Sequence, residues 1–201
     1  IASSGIPATR AAATAAAALN SGEVDWWQQI PTDLIPVVAK NKDVKVESVD
    51  PLGSIGLLRF NHLQPPFNNV KLRQAVLAVV NQNDYAIAIA GDAKNGKPCP
   101  SYFTCGTPMA NTAGSEALTG KRDFDRAKAL VKESGYKGEK IILMSATDQP
   151  IVHSQALVTQ DILKKLGLNV ELAASDWGTL ITRRGSKEPV EKGGWSVFHT
   201  W

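Results

Sequence analysis

Hydrophobic and polar positions change period several times along the chain, and each change predicts an element. An alanine-rich stretch predicts a helix over residues 8–19, followed by a short element at 24–28, a helix over 32–39 and a strand over 44–49. A second strand, over 55–60, must stop by about Asn61, because Pro65 and Pro66 cannot donate to a ladder. Asn68 or Asn69 then caps a helix whose apolar positions Leu72, Ala75, Val76, Val79 and Val80 share one face, with Lys71, Arg73 and Gln74 largely off it. Asn83 or Asp84 caps a shorter helix through Ala90.

From Asp123 the pattern is regular. A helix over 125–134 is stopped by Gly135, and a strand follows over 140–144. A helix over 151–166 is stopped by Gly167, and another strand runs over 168–173. This is a βαβ unit, so its strands should be parallel with a right-handed crossover, and Val152, Leu157, Ile162, Leu163 and Leu166 are expected to cover the sheet. A helix over 176–184 and a last strand over 194–200 complete an α/β fold with a mixed, partly parallel sheet flanked by helices. No internal repeat interrupts it.

In open sheets of this kind, ligands lie beyond the carboxyl ends of the parallel strands. Three such ends are predicted, at residues 145–150, 175–177 and 199–201. They offer hydroxyls with Asp148 and Gln149, a carboxylate with the indole of Trp177, and the imidazole of His199 with the indole of Trp201. These are binding chemistries, each with a structural alternative: Asp176 as a helix cap, Trp177 as core.

Other motifs carry less. Residues 91–98, G-D-A-K-N-G-K-P, match the glycine and lysine spacing of a phosphate loop. Pro98, however, stands where a hydroxyl should hold magnesium, and Pro98 with Pro100 opposes the helix such a loop needs. There is no G-x-S-x-G elbow. The histidines His62, His153 and His199 lack the spacing of a metal-binding helix, and His62 beside a strand end reads as structural. No metal or cofactor is expected. Cys99 and Cys105 flank a five-residue loop within a long Gly-, Pro- and Cys-rich segment running to about Gly120. An oxidising compartment would staple the pair for about 2 to 3 kcal/mol, and a reducing one would leave it free. Two thiols at this spacing with no neighbouring histidine do not make a four-ligand zinc site. Loops of this length tend to be functional or mobile, so the cysteine pair is expected to order it.

With 201 residues, 43% of them hydrophobic, the chain can bury one large or two small cores. The net charge of +3 comes from 22 basic and 19 acidic residues interspersed along it, which argues against a nucleic-acid footprint. The mild basic clusters at 40–45 and 183–187 have acids nearby and no interleaved aromatics, so they read as solvated faces. No apolar run reaches the roughly 18 to 20 residues that span a bilayer. Residues 11–19 are alanine- rather than leucine-rich, with no basic stretch before them, and read as helix rather than as a signal sequence. The opening Ile1 and the abrupt stop at Trp201 suggest a piece of a longer chain.

One motif, F-N-x-x-x-P-P-F-N-N-V-K-L-R-Q-A from Phe60 onward, resembles the signature of the family 5 extracellular solute-binding proteins, the peptide, nickel and opine receptors of ABC importers. Three further segments agree, in the family's order: A-T-R-A-A-A-T-A-A-A-A-L-N-S-G-E-V-D at 8–25, F-D-R-A-K-A-L-V-K-E-S-G-Y at 124–136, and L-G-L-N-V-E-L-A-A-S-D-W at 166–177.

The resemblance implies a non-enzymatic, extracytoplasmic receptor with a periplasmic-binding-protein-like fold of class II. Two lobes close around a small solute and deliver it to the membrane subunits of an ABC permease. It implies that residues 1–52 adjoin the hinge as part of the first lobe, that 53–201 belong to a C-terminally incomplete second lobe, and that this piece alone is monomeric. In the peptide-binding relatives, the residues matching Trp177, Arg184 and the strand 195–201 line the cleft. The expected ligand set is therefore Asp148, Gln149, Trp177, Arg184, His199 and Trp201. The aspartate that those relatives use for a peptide amine falls beyond Trp201 or is absent, so opines, nickel chelates, oligosaccharides and glutathione-like ligands stay open beside oligopeptides. Two other readings compete. One is a cytosolic α/β enzyme domain, for which Asp148 with His199 is the one acid–base pair to nominate. The other is a ligand-sensing domain of a chemoreceptor or kinase pathway.

Overall fold

Alanine at the inner positions lets the first helix sit close to its neighbours. In the computed structural model, which describes residues 12–91, 96, 98–119 and 121–201, this helix, α1, spans Ala12–Asn20 and buries Ala15, Ala16, Ala18 and Leu19. The first residues predicted for it lie outside the described ones, as does most of the phosphate-loop-like segment at 91–98. A 3-10 turn, Thr32–Leu34, runs into α2, Ile35–Val38, together making the helix predicted over 32–39. Ala16, Leu19 and the fully buried Val38 pack with Val24, Trp27, Ile30, Leu34 and Val44 in a small cluster of their own.

The strand predicted over 44–49 does not form. Residues 44–48 are irregular, and Val49 is 87% exposed. Strand propensity stabilises a segment only against a pairing neighbour, and among the described residues none lies alongside. The element predicted at 24–28 likewise reduces to a single bridge residue, Trp26.

Strand β1, Leu57–Phe60, ends just before Asn61, whose amide donates to the Trp195 carbonyl and accepts from the Leu63 amide. The chain then turns through a cis Pro65–Pro66 bond into α3, Val70–Leu77. Its cap is Asn69, which accepts from the Lys71 amide at 2.9 Å, and Leu72, Ala75, Val76 and Val79 are buried with Val80 half-buried, as the periodicity predicts. Helix α4, Gln82–Ala90, is capped by Asn81 rather than by Asn83 or Asp84. Asn81 has the extended backbone that a cap requires and accepts from the Asn83 amide, whereas Asp84 is held in an ion pair by Arg122.

The long loop that follows is ordered from within. Cys99 and Cys105 form a disulfide, and both amide atoms of Gln82 clamp the Cys99 backbone at 2.7 and 2.8 Å. Ser101 accepts from the amides of Phe103 and Asn111, and a short helix, α5, Glu116–Thr119, closes the segment.

The regular half follows its pattern closely. It comprises α6 (Phe124–Glu133, capped by Asp123), β2 (Ile141–Ala146), α7 (Pro150–Lys165), β3 (Val170–Ser175), α8 (Trp177–Arg184, capped by Asp176) and β4 (Val197–Thr200). The sheet order is β1-β4-β2-β3: β2 pairs parallel with β3 and β4, and β1 pairs antiparallel with β4, Leu57 opposite Thr200. The fold is therefore α/β with a mixed sheet.

Strand β2 is buried along its whole length because helices cover both faces. Leu143, Ile141 and Val197 meet α3, α6 and α7 on one face, while Ile142, Met144 and Phe198 meet Leu180 of α8 on the other. Leu157, expected to cover the sheet, is 45% exposed. The inner stripe of α7 runs through Val152, Ala156, Thr159, Ile162 and Leu163, and Leu157 stands one residue, or about 100°, off it.

Candidate functional site

The carboxyl ends of β2, β3 and β4 lie side by side, because these three strands are mutually parallel and Ala146 is in register with Ser175. Thr147, leaving β2, donates its amide to the Ser175 carbonyl at 2.9 Å and ties two of these ends together. One residue on, Asp148 accepts the Trp177 amide at 2.8 Å, so a residue of the first loop fixes the start of α8. Asp176 caps the same helix through the Thr179 amide at 2.9 Å. Its bonds from the Thr179 hydroxyl first, then from the backbone, hold its carboxyl below the usual carboxylate range.

Held in this way, the half-buried indole of Trp177 stacks on Trp201, with ring centroids 5.5 Å apart and planes 17° apart. Trp201 remains 43% exposed, so the pair offers a flat aromatic surface at the sheet's edge. Gln149, at the entrance to α7, follows Asp148 in the chain and is half-buried, its backbone carbonyl accepting the His153 amide.

The other two expected residues lie elsewhere. His199 is 2% exposed and faces α7 and α4. One ring nitrogen bonds the Thr159 hydroxyl at 2.7 Å, that hydroxyl bonds Tyr85 at 2.9 Å, and the Tyr85 ring lies 5.7 Å from the imidazole. Burial pushes the imidazole down to about 3, a backbone hydrogen bond at Leu57 working the other way, so it is neutral at physiological pH. Burial likewise pushes the Tyr85 hydroxyl up to about 12. Asp148 and His199, the nominated acid–base pair, thus belong to separate networks.

Ser145 and His153, bonded at 2.8 Å, extend the polar layer beneath the sheet edge, and Gln155 is buried in it with its carbonyl oxygen unpartnered among the described residues. Sequence reasoning missed this layer. Its only signal was polar residues on the inner stripe of α7.

Arg184 sits at the far end of α8, about 10 Å along the helix axis from Trp177. There it borders an open concavity of about 450 Å³ with Arg59, Phe60, Gly185, Trp195 and Phe198. Trp195 and Phe198 meet edge to face at 5.1 Å, and the Trp195 indole donates to the Arg184 carbonyl at 3.0 Å. Arg59 was not foreseen. It lies opposite Phe198 across the β1–β4 pairing, a neighbour that no local pattern announces.

Comparison with known proteins agrees with this architecture. The chain is 39% identical over 187 residues to a probable peptide ABC transporter periplasmic-binding protein, y4tO, of Sinorhizobium fredii, covering 93% of this chain and 35% of that protein. It is 28% identical to the glutathione-binding protein GsiB of Pectobacterium atrosepticum, covering 92% of this chain and 36% of the relative. The chain thus spans about a third of the length of the curated relatives it matches. The ABC transporter substrate-binding protein CtaP of Listeria monocytogenes shares the fold, with a TM-score of 0.75 at 24% identity over 94% of this chain and 37% of that one. With the model for the middle part of these proteins matching residues 7–200, the chain belongs to the bacterial extracellular solute-binding proteins, family 5.

Proposed function

We propose that this chain is part of an extracytoplasmic receptor of an ABC importer, which captures a small solute by closure of two lobes and delivers it to the permease. Residues 53–201 act as the second lobe and 1–52 as the part of the first that adjoins the hinge. The solute is an oligopeptide or a related amino-acid-derived molecule, the class named for y4tO and for the glutathione-binding relative.

The stacked Trp177–Trp201 pair at the carboxyl edge of the parallel strands carries the reading. Two aromatic faces, one of them exposed, suit a solute with apolar or planar groups whose backbone amides find partners nearby. Asp148 fixes the start of the helix that carries Trp177, Gln149 follows it in the chain, Arg184 lines a separate concavity at the far end of α8, and His199 lies beneath the sheet edge, bonded to Thr159. Both the burial of His199 and its neutrality favour binding over proton transfer.

Thermal unfolding of the intact protein against pools of short peptides, opines, glutathione and metal chelates tests this. A ligand at 100 times its dissociation constant stabilises the native state by about 2.7 kcal/mol, a rise of a few degrees, and Trp177→Ala should abolish the rise without unfolding the protein. A protein that no pool stabilises, or one that consumes its ligand, would overturn the receptor reading.

A further inference from the structure

The inner stripe of α7 carries one side chain whose polar demand the fold leaves unmet. Gln155 is 4% exposed, and its carbonyl oxygen has no hydrogen-bond partner among the described residues. A buried acceptor left unpaired costs the native state stability that an apolar side chain of similar shape would not. Thr159, one turn further along α7, bonds His199. Because α7 leads away from the carboxyl end of β2, Gln155 stands one turn nearer the sheet's edge, level with the residue two places beyond His199, which is Trp201. The β1–β4 register agrees: Leu57 opposes Thr200, and continuing by one residue sets Gly56 opposite Trp201. A Cβ at Gly56 would collide with the amide nitrogen of Gln155, so the carboxamide lies directly against an exposed glycine. The missing side chain is thus a gap in the sheet's edge, filled from behind by a primary amide. Rotation about the last torsion of Gln155 brings either its N–H or its carbonyl oxygen to that gap.

We propose that Gln155, reached through the gap at Gly56, is a specificity-determining residue of the receptor, its carboxamide pairing with an amide group of the captured solute beside Trp201. The proposal rests on the receptor reading and narrows it to solutes that carry amides. An amide offers one donor and one acceptor side by side, which a single carboxamide meets together, whereas a carboxylate uses only its N–H and a metal ion only its oxygen. Binding also satisfies an oxygen that is otherwise unpaired, so the same side chain lowers the stability of the free protein and raises its affinity for the solute.

The test titrates the intact protein calorimetrically with trialanine and with glutathione, and records thermal unfolding of each variant without ligand. Wild type should bind at least one of the two peptides. Gln155→Leu should weaken that binding about tenfold, yet unfold at the wild-type temperature or above it, because the unpaired oxygen is gone. Gly56→Ala, whose Cβ displaces the carboxamide, should weaken binding to a similar degree, and the double variant should bind no worse than either single one. Binding as tight as wild type in Gln155→Leu, or a lower unfolding temperature for that variant, overturns the subsite and leaves the receptor reading in place. A wild type that binds neither peptide but is stabilised by a metal chelate does the same. A wild type that binds nothing removes both.

Discussion

His199 shows how one residue is defined by its surroundings. As a sequence position it is an imidazole at a strand end; in the fold it is a neutral, buried hydrogen-bonding group linked through Thr159 to Tyr85. Its pKa falls from 6.5 to about 3 on folding, so the unfolded chain binds more protons than the native one between those values. Its contribution to stability is therefore fully present above about pH 6.5 and is lost progressively as the pH falls toward 3. The unfolding temperature of the wild type should drop more steeply on acidification through this window than that of His199→Asn. The variant should be the less stable of the two at neutral pH, because it breaks a buried network. Parallel curves for the two proteins would show that the imidazole is already accessible to protons in the native state.

At the scale of elements, caps decide where helices start, and one of them also joins two elements. Asn69 accepts the Lys71 amide to begin α3 and donates its own amide to the Ser134 carbonyl at the end of α6, at 2.9 Å. Asn69→Ala should therefore cost about 2 kcal/mol in chemical denaturation, whereas Asn68→Ala, at an exposed neighbour, should cost almost nothing. Equal costs would mean that the cap is shared between the two asparagines. Asp148 plays a comparable joining role, using a loop residue after β2 to hold the first amide of α8 and so to position Trp177.

For the whole molecule, cohesion is uneven. The sheet is buried between two helical layers, while residues 12–44 are held by two small clusters rich in alanine and valine. Hydrogen exchange should follow that division. Amides of 45–49, which belong to no strand, should exchange orders of magnitude faster than those of β2, the most buried strand. Comparable protection in the two segments would show that 45–49 is paired in solution, restoring the strand that the alternation predicts.

The sequence by itself determined the βαβ unit, a cap at Asn68 or Asn69, the stop at the proline pair and the family signature, because each depends on residues a turn or two apart. It also nominated Asp148, Gln149, Trp177, His199 and Trp201 by placing them at strand ends, and Arg184 through the family resemblance. Tertiary structure decided which of those residues share a surface. Trp177 and Trp201 meet because β3 and β4 flank β2, His199 is withdrawn because its side of β4 faces α7, and Arg184 shares a concavity with Arg59, which the β1–β4 pairing places opposite Phe198. The strand at 44–49 was misjudged for the same reason, since a strand is completed by a partner distant in sequence, and alternation encodes a willingness to pair but not the presence of a neighbour.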